Sequence, residues 1–262
     1  MDFVHLRVDT TDEGVRTIRL DRADRLNAVN PRLSVELPAA VHEAAADRAV
    51  RVIVITGNGR GFCAGLDLND PAGLDDSPEA QRDPYAWVGR WVQAIVGCEK
   101  PVIAAINGPA AGAGFGLALA CDLRIMAASA TCTAGYVRRG LSPDAGTTWF
   151  LPRLVGHARA TEILLTGRDL SAQEAQQIGL CTAVYDDAIF AEAVAAFAAQ
   201  LASGPPLAFA KTKQLLLASA DVTLDAQLRD ELTAIKQCFA SEDVREALAA
   251  FREKRMPVFR GR

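Results

Sequence analysis

The sequence lacks the patterns that mark several large classes of protein. No C-x-x-C pair occurs among its six cysteines, and the three histidines lie far from them, so zinc-ribbon and thioredoxin-like sites are not predicted. No run of five basic residues occurs and the net charge is -4, which provides no binding footprint for nucleic acid. The charged amino-terminal residues contain no apolar export signal. We therefore expect a protein of the reducing cytoplasm with neither nucleic-acid nor membrane partners.

The composition that is present fits one large domain or two small ones. The 262 residues are 50% hydrophobic and 23% charged, enough to bury a core without disulfides. Alternating apolar residues on either side of Gly14 predict an amino-terminal hairpin, and helical spacing follows at 31–48. Continuous apolar runs at 52–55, 102–106 and 123–126 predict strands that are covered on both faces. The alternation of strands and helices predicts an α/β fold.

The last part of the chain is predicted to be mostly helical. Ser171 and Glu174 form a capping-box pattern, which marks the start of a helix. Apolar stripes at helical spacing run through three further segments, 187–203, 205–218 and 224–239. We expect a helical subdomain that begins near residue 200.

A segment rich in Asp, Pro and Gly interrupts the predicted strands and helices. This segment, Asp67 to Pro84, predicts a mobile surface loop. An amphipathic helix that carries Trp87 and Trp91 is predicted directly after it. Together with Phe115 and Tyr136, these tryptophans are compatible with a pocket for aromatic groups, although aromatic residues at helical spacing more often belong to a core.

Two predicted strands end in glycine-rich turns, at residues 57–67 and 107–114. Glycine lets the backbone approach a ligand closely and adopt positive φ. The second turn leads into an apolar helix whose first amides are free to donate hydrogen bonds. Two such turns could each direct one backbone N–H at a developing oxyanion, as acyl chemistry requires. Taken alone, the residues fit ordinary tight turns equally well, whereas the glycine spacing does not fit a dinucleotide loop.

Four segments of the chain resemble the enoyl-CoA hydratase/isomerase (crotonase) superfamily, in the order and spacing of that family. They are Leu20–Ala28, Phe62–Leu68, Asn107–Asp122 and Phe251–Arg255. The resemblance implies acyl-CoA thioester substrates and no metal or organic cofactor, since coenzyme A is part of the substrate. It also implies an α/β fold with a crotonase-like β–β–α spiral core over residues 1–200 and a carboxy-terminal helical trimerisation region over 201–262. The expected assembly is a homotrimer or a hexamer.

The same resemblance implies roles for individual residues. The amides of Leu66 and Ala113 match the oxyanion hole that holds the thioester oxygen. Positions that match coenzyme A contacts are Arg22, Leu26, Ala28, Ala64, Asp67, Leu68, Phe251 and Lys254. Phe251 and Lys254 match residues that approach the coenzyme A of a neighbouring subunit. For Asp67, a role in loop geometry is the alternative.

The acid and base residues distinguish the reactions within this superfamily. Hydratases carry two glutamates, at positions that match Gly116 and Tyr136, so this chain lacks the hydratase pair. It has Asp144 instead, and here it looks most like the 1,2-epoxyphenylacetyl-CoA isomerase and enoyl-CoA isomerase branch. An aspartate at this position in that branch carries a proton between two carbons, and the intermediate is a thioester enolate.

Other readings of the same residues stay open. Asp144 follows Pro143 and precedes a predicted helix, which also fits a helix N-cap. An aspartate in this loop serves as nucleophile in a dehalogenating branch, although position 136 lacks the tryptophan associated with that reaction. The alternatives for the whole chain are an enoyl-CoA hydratase of fatty-acid or aromatic-acid degradation and a non-catalytic binding protein of the crotonase fold.

Overall fold

A six-stranded sheet forms the centre of the protein. The computed structural model describes residues 2–70, 82, 85 and 87–262. The strands are β1 Leu6–Thr10, β2 Val15–Leu20, β3 Val52–Gly57, β4 Val102–Ile106, β5 Ala110–Ala111, β6 Leu123–Ala127, β7 Thr131–Thr133, β8 Asp169–Ser171 and β9 Ala183–Tyr185. The large sheet has the order β1-β2-β3-β4-β6-β9, and β5, β7 and β8 form a small second sheet. In the large sheet only the β1–β2 pair is antiparallel.

Ten α-helices of the described residues surround these sheets. They are α1 Pro31–Ala46, α2 Gly89–Val96, α3 Ala113–Ala120, α4 Thr147–Val155, α5 His157–Thr166, α6 Ala172–Gln177, α7 Phe190–Ala202, α8 Pro206–Ala218, α9 Leu224–Ala240 and α10 Glu242–Glu253. The Asn30 side chain caps α1 by accepting a hydrogen bond of 3.0 Å from the Leu33 amide. The α/β prediction is therefore confirmed, with the amino-terminal hairpin and the helix after Pro31.

The central strands are covered on both faces, as their continuous apolar runs predicted. Every residue of β3 and β4 is buried, and the two strands pair in parallel with Thr56 opposite Ala105. Parallel neighbours end at the same edge of a sheet, so the chain leaves β3 and β4 side by side. Both glycine-rich turns begin at this edge, which is where ligands bind in many α/β sheets.

One detail of the prediction was wrong. The helix expected to carry Trp87 and Trp91 begins only at Gly89, and Trp87 precedes it in a turn with φ of 65°. The last third also contains two short strands, β8 and β9, whose three residues each are too few for a periodic pattern. The expected mobile loop from Asp67 to Pro84 falls mostly outside the described residues. The capping box is confirmed, since the Ser171 hydroxyl accepts a hydrogen bond of 3.2 Å from the Glu174 amide.

The carboxy-terminal helices extend away from the sheet. Helix α7 packs against β2, β3 and β6, whereas α9 packs against α8 and α10. No helix in the described part of the chain could cross a membrane alone; α7 and α8 together have the length and composition but meet at a bend of 101°. The boundary at residue 200 between a core and a helical region stays a prediction.

Candidate active site

The two glycine-rich turns interlock at the carboxyl edge of β3 and β4. The Cys63 amide donates to the Pro109 carbonyl at 3.1 Å, and the Ala111 amide donates to the Cys63 carbonyl at 2.9 Å. A side chain at Gly65 would place its Cβ 2.6 Å from the Ala111 carbonyl oxygen, and one at Gly114 would overlap the Cys63 carbonyl. Glycine is therefore required at both positions for the turns to approach this closely.

This approach brings the Leu66 and Ala113 amides near each other. A Cβ built on Gly65, the residue before Leu66, would lie 3.4 Å from the Ala113 nitrogen. Val29 pairs with the residues on either side of Leu66, and Ala113 is the first residue of α3, where amides have no intrahelical acceptor. Within the described residues neither amide donates to a protein group. Both are thus available to a ligand oxygen.

Asp144 lies in the turn before α4, and each of its carboxylate oxygens accepts one hydrogen bond. The Tyr136 hydroxyl donates to Oδ1 at 2.7 Å, and the indole Nε1–H of Trp87 donates to Oδ2 at 3.2 Å. The two donors come from segments that are distant in sequence. Asp144 itself is half-buried.

The N-cap interpretation of Asp144 is wrong. Helix α4 begins at Thr147, its N-cap is Gly146, and no side chain caps it. The turn between Asp144 and the helix is left-handed, with φ of 49° at Ala145 and 70° at Gly146. This geometry delays the start of the helix and turns the Asp144 carboxylate towards Tyr136 and Trp87.

Tyr136 connects the carboxylate with the second glycine turn. A Cβ built on Gly112 would lie 3.9 Å from Cε1 and Cζ of the tyrosine ring, so the ring lies beside the residue that precedes Ala113. Burial, and next the negative charge of Asp144, raise the pKa of Tyr136 far above its ordinary range. The hydroxyl therefore stays protonated and acts as a donor. The sequence did not indicate that Tyr136 is a partner of Asp144.

The other hydratase glutamate position is closed. A Cβ at Gly116 would overlap the Cβ of Ala145 and lie 3.0 Å from Oγ1 of Thr147. Helix α3 packs here against the turn that carries Asp144, and all eight residues of α3 are buried. A longer side chain at Gly116 could not enter without displacing that turn.

Two residues expected to contact coenzyme A are joined in a buried ion pair. Nη2 of Arg22 lies 2.8 Å from Oδ2 of Asp67, and the two side chains are only 12% and 6% exposed. Burial by itself raises the pKa of Asp67, but hydrogen bonds from Arg22 and the Asn69 amide, with the charge of Arg22, lower it overall. Arg22 also donates to the Ala28 carbonyl. This arrangement supports the loop-geometry role of Asp67, and its contact with coenzyme A stays a prediction.

The remaining expected coenzyme A contacts fall into two places. Close to the glycine turns, the Ala64 amide donates to the Leu26 carbonyl at 3.0 Å, and Leu68 is 63% exposed. At the end of α10, Phe251 is 83% exposed and Lys254 is exposed. Exposure makes these side chains accessible to a ligand or a second subunit, and their roles stay predictions.

Two further residues of the family-like segments, Cys63 and Asp122, are structural. Burial raises the pKa of the Cys63 thiol to about 12, so it is no nucleophile at neutral pH. Oδ2 of Asp122 accepts hydrogen bonds of 2.8 Å from the Val102 amide and from Nζ of Lys213. Asp122 therefore ties α8 to the start of β4.

The chain is similar to known proteins over nearly its whole length. Residues 10–262 match the enoyl-CoA hydratase/isomerase family. A Rhodobacter capsulatus protein named as a probable enoyl-CoA hydratase is 44% identical over 95% of this chain and 96% of its own length. The 1,2-epoxyphenylacetyl-CoA isomerase of Escherichia coli K12 is 38% identical over the whole of both chains.

The fold is also similar to that of solved structures. A crystal structure of enoyl-CoA hydratase subunit I from Geobacillus kaustophilus superimposes with a TM-score of 0.92, at 37% identity and with complete coverage of both chains. The expected crotonase fold is therefore confirmed.

Proposed function

This chain belongs to the enoyl-CoA hydratase/isomerase family, which acts on acyl-CoA thioesters, and we propose that it is an isomerase with Asp144 as the proton shuttle. The observation that carries the proposal is the Asp144 carboxylate, held by Tyr136 and Trp87, in a site where the described residues leave no room for a second carboxylate at Gly116. One carboxylate is sufficient for a double-bond shift, because the group that removes a proton can return it elsewhere.

The proposed reaction proceeds in two proton transfers. Asp144 takes a proton from the carbon next to the thioester carbonyl of a 3-enoyl-CoA, and the electron pair of the broken C–H bond moves to the carbonyl oxygen. The amides of Leu66 and Ala113 stabilise this enolate oxygen. Asp144 then returns the proton to the far carbon of the old double bond, whose electron pair forms the new C–H bond. The enolate oxygen re-forms the carbonyl, and the carbon–carbon double bond of the enolate shifts by one position to become the new double bond beside it. No metal or further cofactor takes part.

Hydration is the second candidate, because one of the relatives is named as a probable enoyl-CoA hydratase. Adding water to a double bond requires one group to activate the water and another to deliver a proton. Gly116 has no room for a side chain. Tyr136 stays protonated, and its hydroxyl donates a hydrogen bond to Asp144. These features favour isomerisation over hydration.

A panel of acyl-CoA substrates with product identification tests the proposal. We expect a 3-enoyl-CoA to be isomerised at least about 10²-fold faster than crotonyl-CoA is hydrated, the usual effect of one missing acid or base. The panel also contains 1,2-epoxyphenylacetyl-CoA, whose ring rearrangement is the second isomerase reaction tested. Hydration of crotonyl-CoA at the isomerisation rate would identify a hydratase, and release of chloride from a chlorobenzoyl-CoA would identify a dehalogenase. Binding of acyl-CoA without turnover would favour a non-catalytic protein.

The enzyme is further proposed to be a homotrimer, or a dimer of trimers, in the cytoplasm. Helix α9 carries an exposed apolar stripe, formed by Leu224, Leu228, Leu232, Ile235 and Phe239. A contiguous apolar face of this kind marks a protein contact. In such an assembly Phe251 and Lys254, at the end of the neighbouring α10, would approach the coenzyme A of another subunit.

A further inference from the structure

The carboxylate of Asp144 is held at two points. Tyr136 donates to one oxygen at 2.7 Å and Trp87 donates to the other at 3.2 Å, so each oxygen has one donor. A single hydrogen bond leaves a carboxylate free to turn about its Cβ–Cγ bond, whereas two donors on opposite oxygens fix its plane. Each oxygen keeps a second lone pair for a substrate proton.

Both donors are themselves held in place. Tyr136 is only 8% exposed, and its backbone carbonyl accepts hydrogen bonds from the Arg139 and Leu141 amides. The Trp87 ring lies with its centroid 6.4 Å from that of Trp91, which is completely buried. Neither donor could follow a rotating carboxylate without disturbing its own packing.

We propose that Tyr136 and Trp87 are positioning residues that clamp the plane of the Asp144 carboxylate, and that neither exchanges a proton with the substrate. The inference rests on the proposed isomerase function. It assigns to Tyr136, which occupies the place of a hydratase glutamate, the task of orienting the Asp144 carboxylate.

A shuttle needs such a clamp more than a simple base does. The same carboxyl group must reach one carbon to take the proton and a second carbon to return it. Its orientation must persist while it is protonated, since a turned carboxylic acid would present the proton to solvent or to the wrong atom. Tyr136 and Trp87 can donate in both states, because the tyrosine stays protonated and an indole N–H does not titrate.

A double-mutant cycle distinguishes the clamp from two separate structural roles. The variants are Tyr136→Phe, Trp87→Phe and the double variant, with Tyr185→Phe as a matched control that removes a hydroxyl from β9. We expect each single variant to lower kcat about 10-fold, with KM within about 2-fold, because small misplacements of a catalytic group are costly. Removing one donor already frees the plane of the carboxylate. The kcat of the double variant should therefore fall by less than about 30-fold, which is less than the product of the two single losses.

The wild type and the same four variants are assayed for exchange of the α-proton of a saturated acyl-CoA in deuterated water. This exchange requires only the base, so a wild type that exchanges without isomerising would contradict the proposed function and still test the clamp. Crystal structures of the variants supply a readout without turnover. A clamp predicts one orientation of the Asp144 carboxylate in the wild type and more than one in the double variant. The inference would be overturned if the kcat losses of the two single variants multiplied in the double variant. It would also be overturned if KM rose while kcat stayed unchanged, or if the Asp144 carboxylate kept a single orientation in the double variant.

Discussion

The Cβ of Ala145 faces Gly116 so closely that no side chain fits between helix α3 and the turn that carries Asp144. We expect Gly116→Ala to lower isomerisation about 10-fold or more and to destabilise the fold by about 1–3 kcal/mol, the range for overpacking in a dense core. Steady-state kinetics and thermal unfolding measure the two effects. Gly89→Ala is the matched control, since among the described residues its added methyl would meet only the Tyr85 Cβ, at 3.8 Å.

A compensating variant makes this prediction specific. Ala145 has a left-handed φ of 49°, which is strained for any residue except glycine. Ala145→Gly would remove both the strain and the methyl group that Gly116→Ala overlaps. The double variant should therefore recover much of the stability lost in Gly116→Ala. If it unfolded at the same temperature as the single variant, the contact would not be the cause.

The ion pair between Asp122 and Lys213 makes stability depend on pH. Burial raises the pKa of Asp122, and the charge of Lys213 opposes this. Lys213→Met would leave the carboxylate unpaired, raise its pKa further and destabilise the fold by about 3 kcal/mol at neutral pH. The folded state then binds the proton more tightly than the unfolded state, so acid relieves the loss.

Thermal unfolding between pH 8 and pH 4 tests this account. The Tm difference between the wild type and Lys213→Met should be largest above the raised pKa of Asp122 and should shrink as the pH falls through it. The double variant Asp122→Asn/Lys213→Met, which contains neither charge of this ion pair, should recover part of the loss at pH 7. A Tm difference that stayed constant across this range would contradict the explanation.

The exposed stripe of α9 predicts the effect of surface charge on assembly. Leu228 and Leu232 are 55% and 53% exposed in a single chain. Changing both to Asp should place charge in the proposed trimer contact and yield monomers of about 28 kDa by light scattering. Glu231→Gln, on the same helix, should leave the trimer unchanged. A monomeric wild type at micromolar concentration would contradict the oligomer proposal.

Local sequence patterns accounted for most of the framework. The runs that form β3 and β4, the helix after Pro31 and the capping box of Ser171 each depend on residues close in sequence, and each was found. Strands β8 and β9 were not predicted, because three residues are too few to show the two-residue alternation of a strand. The start of α2 was placed too early, because the helical spacing of apolar residues continues through the turn that contains Trp87.

The candidate site was harder to predict from the sequence than the fold. Glycine patterns and a family resemblance indicated Leu66, Ala113 and Asp144, but not the partners of the carboxylate. Trp87 and Asp144 are 57 residues apart, and tertiary packing alone brings them together. The same packing determines that Gly146, rather than Asp144, precedes α4 as its N-cap.

The central claim is that Asp144 moves the proton, and α-proton exchange in deuterated water tests it most directly. Asp144→Asn keeps the shape of the side chain and removes its basicity, with Asp122→Asn as a control for the same change at a structural carboxylate. We expect Asp144→Asn to lower both exchange and 3-enoyl-CoA isomerisation about 10²–10⁴-fold, the usual loss for a general base, with little change in Tm. Exchange within a few-fold of the wild-type rate would show that another group removes the proton and would contradict the mechanism.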